Sequence, residues 1–179
     1  MVFIGKKGSG TVSQVFVAVL MGSDSDWPVM ESCIEVLRRF GVPFEVRITS
    51  AHRTPDATRA YVQGAEQRGC AVFIAAAGMA AHLAGAVAAS TCKPVIGVPM
   101  DVSLGGLDAL LSTAQMPGGI PVATVAVGKA GATNAGYLAV QVLAVADAGL
   151  ALRLREDRAA MTASVEQKNR ALQEKIGAA

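Results

Sequence analysis

Charged and aromatic side chains are scarce in this chain of 179 residues, at 17% and 4%, and the formal net charge is only +2. Because the basic residues are few and scattered, no nucleic-acid partner is expected. The apolar runs are much shorter than the roughly 20 residues that a membrane-spanning helix needs, so no membrane partner is expected either. These absences favour a globular domain that neither binds nucleic acid nor spans a membrane.

Cysteine and the usual cofactor motifs are also sparse. The three cysteines form neither a CxxC pair nor a zinc-ligand spacing, so we expect no metal and a reducing, cytoplasmic setting. No signal-length apolar stretch follows residues 1–14, which we interpret as an N-terminal extension without a secretory signal. A GxGxxG turn, a phosphate-binding GxxxxGK[ST] loop and a GxSxG elbow are all missing, which argues against those nucleotide-binding and serine-nucleophile sites.

What the chain does contain is a repeated alternation of short Val/Ile-rich runs with longer helical patterns, in a sequence that is 52% hydrophobic. We predict strands at residues 15–20, 44–48, 72–75, 95–98 and 122–127. Helices are predicted at 27–40, 55–68, 78–89, 107–113, 130–146 and 150–175. Thr54 and Pro55 are expected to supply the N-cap and first position of the second helix, Gly41 is expected to end the first helix, and Pro99 to stop the fourth strand.

This alternation predicts an α/β fold with a doubly wound, five-stranded parallel sheet and an extra C-terminal helix. We expect one domain over residues 15–146. Residues 147–179 are predicted to form a helical tail that packs on the same domain or on a neighbouring subunit. In such sheets ligands bind beyond the carboxyl ends of the strands, which directs attention to the segments that follow the first three strands.

The segment after the first strand, residues 22–26, carries Ser23, Ser25 and Asp26 at a predicted helix N-terminus. Backbone N–H groups there favour an anion, whereas Asp26 could instead accept hydrogen bonds from sugar hydroxyls. An ordinary Ser/Asp cap would explain the same residues, so this segment alone leaves the choice open.

Histidine gives a sharper signal, because the two histidines of the chain, His52 and His82, each follow a predicted strand. Arg53 adjoins the first of them and could hold a phosphate through two parallel hydrogen bonds. The His-Arg pair alone would fit a solvated surface, but the placement of both histidines at the ligand edge favours a site. The residues therefore predict a small phosphorylated ligand and proton transfer by His52, and leave the reaction itself open.

Several blocks of sequence, in order, resemble the PurE-type carboxyaminoimidazole ribonucleotide mutases of purine biosynthesis over residues 15–146. The blocks are residues 21–27, 50–56, 80–83, 94–99, 106–112, 115–117 and 128–132. The resemblance implies a flavodoxin-like, three-layer catalytic domain in a homo-octamer that needs no cofactor. It also implies a reaction on a phosphoribosyl imidazole, in which a carboxyl group leaves the exocyclic nitrogen as carbon dioxide and is recaptured by ring carbon 4.

The resemblance also assigns residues. His52 matches the general acid/base, Asp26 suits the ribose hydroxyls, and Arg53 with Ser23 suits the phosphate. The other matching pocket positions are Ser50, Ala51, Gly78 and His82. His82 could equally be a histidine that only orients its loop, and we interpret residues 115–117 as structural.

Three positions depart from the family pattern, because Ala76, Met79 and Ala84 replace Gly, Gly and Pro. A Cβ at Met79 disfavours a positive φ, so we expect either an ordinary backbone there or a loop that differs in detail.

Two other functions are left open by the sequence. The nearest is a carboxylase that adds free carbon dioxide to aminoimidazole ribonucleotide. That class tends to carry Lys where this chain has Arg53 and differs around residues 115–117, which favours the mutase. The other is a non-enzymatic flavodoxin-like module that binds a nucleotide or a flavin, and the scarcity of Trp and Tyr argues against the flavin.

Overall fold

Five parallel strands form one sheet in the computed structural model, which describes residues 15–177. The strands are β1 (Phe16–Met21), β2 (Phe44–Ile48), β3 (Cys70–Gly78), β4 (Val95–Met100) and β5 (Ala123–Thr124). Their order across the sheet is β2-β1-β3-β4-β5, which confirms the predicted doubly wound α/β fold. The predicted N-terminal extension, residues 1–14, lies outside the described residues.

Six α-helices accompany these strands within residues 15–177. They are α1 (Trp27–Arg39), α2 (Pro55–Gln67), α3 (Leu83–Ala88), α4 (Leu107–Ala114), α5 (Gly128–Ala144) and α6 (Ala148–Gly177). Each helix of this described range is too short or too polar to cross a membrane. The chain divides after Val142 into two compact units, of which the first holds the sheet and the second holds α6.

Strand β1 lies between β2 and β3 and is buried along its whole length, and its residues alternate between the two faces of the sheet. On one face, Ala18 and Leu20 join a core cluster with Phe73 of β3, Val62 of α2 and Val87 of α3. Burial on both faces explains why β1 is a continuous apolar run and not an alternating one.

The junction of β3 and α3 differs from the prediction. Residues 78–89 were expected to form one helix, but β3 continues to Gly78 and α3 begins only at Leu83. The strand extends because Ala77 and Gly78 pair with Pro99 and Met100 of β4. Helix propensity in this Ala-rich stretch is overridden by the sheet, and the loop that results, residues 79–82, reaches the sheet edge.

Pro99 also lies inside β4, where the sequence predicted that it would end the strand. Val125 donates its N–H to the carbonyl of Gly97, so the Gly97 edge of β4 faces β5. Pro99, two residues later, faces the same way, but β5 pairs only with Ile96 and Gly97. The missing N–H of Pro99 therefore costs no hydrogen bond of the sheet.

Candidate functional site

The loops after β1, β2 and β3 meet at the carboxyl edge of the sheet, because these three strands are neighbours there. Together they surround a cavity of about 530 Å³. All eight residues singled out from the sequence line it: Ser23, Asp26, Ser50, Ala51, His52, Arg53, Gly78 and His82. Their convergence follows from the strand order, since β1 and β3 flank the point where the order reverses.

The loop after β1 is held by a reciprocal cap around a short 3₁₀ turn, Asp24–Asp26. The Ser23 N–H donates to Asp26 Oδ2 at 3.2 Å, and the Ser25 N–H donates to Ser23 Oγ at 3.3 Å. Burial raises the pKa of the Asp26 carboxyl, and hydrogen bonds from the N–H groups of Ser23 and Gly22 oppose that rise. Asp26 is thus a buried acceptor with a fixed orientation in the cavity wall.

The loop after β2 is closed by Ser50 and Thr54. The Thr54 N–H donates to the Ser50 carbonyl at 2.9 Å, and the Ser50 N–H donates to Thr54 Oγ1 at 3.0 Å. Thr54 occupies the N-cap position of α2 as predicted, but its hydroxyl does not cap the helix, because it is engaged with Ser50. The Arg53 N–H also donates to Ser50 Oγ, at 3.1 Å. The backbone that carries His52 and Arg53 is therefore fixed.

Arg53 lines the cavity and is exposed to solvent. Within residues 15–177 its guanidinium has no hydrogen bond, ion pair or ring contact with another side chain. An unpaired guanidinium in a cavity wall can bind the oxygens of a phosphate or carboxylate without first breaking an internal ion pair.

The loop after β3 brings the chain close to the segment that follows β4. A Cβ at Gly78 would clash with the side chain of Val102, so a larger residue there would require Val102 to move. Met79 has φ +57°, the left-handed conformation, so the alternative of an ordinary backbone at this position is excluded. A non-glycine residue in this region costs about 1–2 kcal/mol, which the loop tolerates beside the cavity.

The two histidines contact each other directly. Nε2 of His52 lies 2.8 Å from Nδ1 of His82, a hydrogen-bond distance. Their rings are nearly perpendicular, at 84°, with centroids 4.9 Å apart. The sequence placed both residues at this edge of the sheet but did not predict that they form a pair.

Val102, Met79 and Leu83 also line the cavity and were not among the predicted site residues. Val102 follows β4, whereas the predicted site residues all follow the first three strands. The signal that could have found it is the strand order, because β4 lies next to β3 and its end therefore opens on the same edge. These side chains give the cavity an apolar part beside its polar loops.

Among the described residues, 15–177, no group of three or more His, Cys, Asp or Glu side chains is arranged as a metal site. The chemistry available from the chain itself is anion binding by Arg53, hydrogen bonding by Asp26 and Ser23, and proton transfer by an imidazole.

Comparison with known proteins shows which family this chain is similar to. The model of the family described as AIR carboxylase matches residues 16–164. An N5-carboxyaminoimidazole ribonucleotide mutase from Bacillus subtilis is 52% identical over 146 residues, which cover 81% of this chain and 90% of the relative. A chloroplastic phosphoribosylaminoimidazole carboxylase from Vigna aconitifolia is 55% identical over 146 residues, 81% of this chain but 26% of that protein. The crystal structure of Treponema denticola PurE superposes with a TM-score of 0.76 at 27% identity, over 86% of this chain and 95% of that one.

Proposed function

Because this chain belongs to the AIR carboxylase family, we infer that it catalyses the N5-carboxyaminoimidazole ribonucleotide mutase reaction of de novo purine biosynthesis. The observation that carries this conclusion is the 52% identity to the Bacillus subtilis mutase across 90% of that enzyme's length. The substrate is a phosphoribosyl imidazole nucleotide, and the enzyme moves its carboxyl group from the exocyclic nitrogen to carbon 4 of the ring.

For the substrate we propose a pose that matches each of its parts to a loop. The phosphate binds to Arg53 and Ser23, the ribose hydroxyls donate to Asp26, and the imidazole lies against His52. The unpaired guanidinium of Arg53 and the buried, oriented carboxylate of Asp26 support this assignment. Three further residues line the cavity: Ser50, Ala51 and Gly78. Ser50 closes the loop that carries His52, and Gly78 allows the close approach of Val102.

The chemical role that we propose for His52 follows from the proton balance of the reaction. When the carboxyl group leaves the exocyclic nitrogen as carbon dioxide, that nitrogen must gain a proton. When carbon 4 then attacks carbon dioxide, the same carbon must lose its proton to restore the aromatic ring. One imidazole that first gives and then takes a proton completes the cycle and is returned to its initial state.

A second candidate is the carboxylase reaction with free carbon dioxide, which is favoured by the similarity to the phosphoribosylaminoimidazole carboxylase from Vigna aconitifolia. The two reactions differ in what they consume. We expect the purified enzyme to convert carboxyaminoimidazole ribonucleotide to the 4-carboxylate in buffer depleted of bicarbonate, as followed by the absorbance of the product. Turnover that required added bicarbonate and accepted only aminoimidazole ribonucleotide would replace the mutase with the carboxylase.

We also propose that the enzyme works as a cytoplasmic homo-octamer. Support comes from four large apolar side chains between β4 and the end of α4 that are 46–79% exposed: Val102, Leu104, Leu107 and Leu111. Exposed apolar side chains concentrated in one short segment are typical of a surface that a partner covers. Light scattering of the purified protein is expected to give the mass of eight chains, and a monomer mass at micromolar concentration would reject this assembly.

A further inference from the structure

Hydrogen bonds of the backbone hold the two loops that carry the histidine pair in place independently of each other. His52 projects from the loop closed by Ser50 and Thr54. His82 immediately precedes α3, where its N–H donates to the Ala80 carbonyl at 2.8 Å and its carbonyl accepts from the Ala86 N–H at 2.9 Å. A contact of 2.8 Å between ring nitrogens on two separately fixed loops is therefore a built feature of the site.

The contact restricts where the protons of the pair can be. A hydrogen bond between two imidazoles needs an N–H on one ring and a lone pair on the other, so Nε2 of His52 and Nδ1 of His82 cannot both be protonated. Within residues 15–177, Nδ1 of His52 and Nε2 of His82 have no hydrogen-bond partner. These two outer nitrogens are the atoms left to meet a substrate.

We propose that His82 is a positioning residue, whose Nδ1 accepts the Nε2–H of His52 throughout the reaction and so makes Nδ1 of His52 the atom that exchanges the proton. This inference rests on the proposed mutase function and names the nitrogen that performs it. A neighbour that accepts at one ring nitrogen fixes the tautomer and makes the other nitrogen the base.

The protons balance through one cycle. His52 begins as an imidazolium with N–H at both nitrogens. The bond from the exocyclic nitrogen to the carboxyl carbon breaks, and carbon dioxide is released. The exocyclic nitrogen takes the Nδ1 proton of His52 in this step. His52 is then neutral, with its remaining proton on Nε2 and held by His82. The bond from carbon 4 to carbon dioxide forms, the carbon 4 proton moves to Nδ1 of His52, and the imidazolium is restored. His82 stays neutral, with its own proton on Nε2.

The tautomer can be measured without substrate. In protein labelled with ¹⁵N-histidine, long-range ¹H–¹⁵N correlation at a pH where both rings are neutral is expected to show His52 protonated at Nε2 and not at Nδ1. Because the chain has two histidines, each single variant leaves one ring, which assigns the signals. A neutral His52 that carries its proton on Nδ1 would overturn the proposal.

A pair of variants tests the consequence for catalysis. His82→Asn places an amide oxygen near the position of Nδ1 and keeps an acceptor, whereas His82→Leu is of similar bulk and has none. A misoriented catalytic group can lose up to about 10²-fold in rate, so we expect kcat of the Leu variant to fall roughly 10-fold or more, with KM changed less than about 3-fold. The Asn variant is expected to recover most of kcat and to retain the Nε2–H tautomer of His52.

The outcomes separate this inference from the proposed function. Equal losses in the Asn and Leu variants, or a change confined to KM, would reject the positioning role. Absence of mutase turnover in the unmodified enzyme would instead reject the proposed function, and the ligand-free spectrum would still decide which tautomer the pair holds.

Discussion

Replacing His52 with asparagine is expected to lower kcat by about 10²- to 10⁴-fold, the contribution that a general acid–base group typically makes. Asparagine is close to histidine in size and can form hydrogen bonds, but it cannot give or take a proton at neutral pH. Both halves of the proposed reaction lose their proton carrier in this variant. Turnover measured with saturating carboxyaminoimidazole ribonucleotide is the direct readout.

Substrate binding should survive in the same variant, because the proposed phosphate and ribose contacts come from Arg53, Ser23 and Asp26. Calorimetric titration with the nucleotide product is expected to give a Kd close to that of the unmodified enzyme. The matched control is His82→Asn, which makes the same replacement in the adjoining ring and is expected to keep most of kcat. Near-normal turnover in His52→Asn would show that another group carries the proton.

Most of the fold could be predicted from the sequence because buried parallel strands are continuous apolar runs. The predicted range of β1, residues 15–20, differs by one residue from the observed strand, Phe16–Met21, which is an apolar run buried throughout. Gly41 has the positive φ expected at a helix end. The prediction was wrong where tertiary pairing decides the outcome. Pro99 fits inside β4 only because β5 ends before it, and Gly78 belongs to β3 because β4 continues beside it.

The loops of the candidate site were predictable for a different reason. Once the strands are placed, the rule that ligands bind at the carboxyl ends selects the residues after β1, β2 and β3. The contact between His52 and His82 was not predictable, because it depends on the side-chain rotamers of two loops that are 30 residues apart in sequence. Likewise, sequence alone left open whether Met79 would adopt a left-handed backbone, which depends on the turn that joins β3 to α3.

Replacing Arg53 with methionine is expected to weaken nucleotide binding about 10- to 100-fold, because a hydrogen bond to a charged group contributes roughly 1.5–3 kcal/mol. Methionine keeps much of the length of the side chain and removes the charge. Since the Arg53 guanidinium has no side-chain partner among residues 15–177, its removal leaves no buried ion unpaired, and we expect the stability of the fold to change little. Calorimetric Kd values for the 4-carboxylate nucleotide measure the effect.

The same charge change at Arg59 provides the control, because Arg59 is exposed on α2 and does not line the cavity. Arg59→Met is expected to bind the nucleotide as the unmodified enzyme does. Both Arg59→Met and the unmodified enzyme should lose affinity when the nucleotide is replaced by its nucleoside. The nucleoside should bind equally well to Arg53→Met and to the unmodified enzyme, since the phosphate that Arg53 contacts is then missing. If Arg53→Met weakened the binding of the nucleoside and of the nucleotide by the same factor, the guanidinium would act on the ribose or the imidazole. The proposed contact between Arg53 and the phosphate would then be wrong.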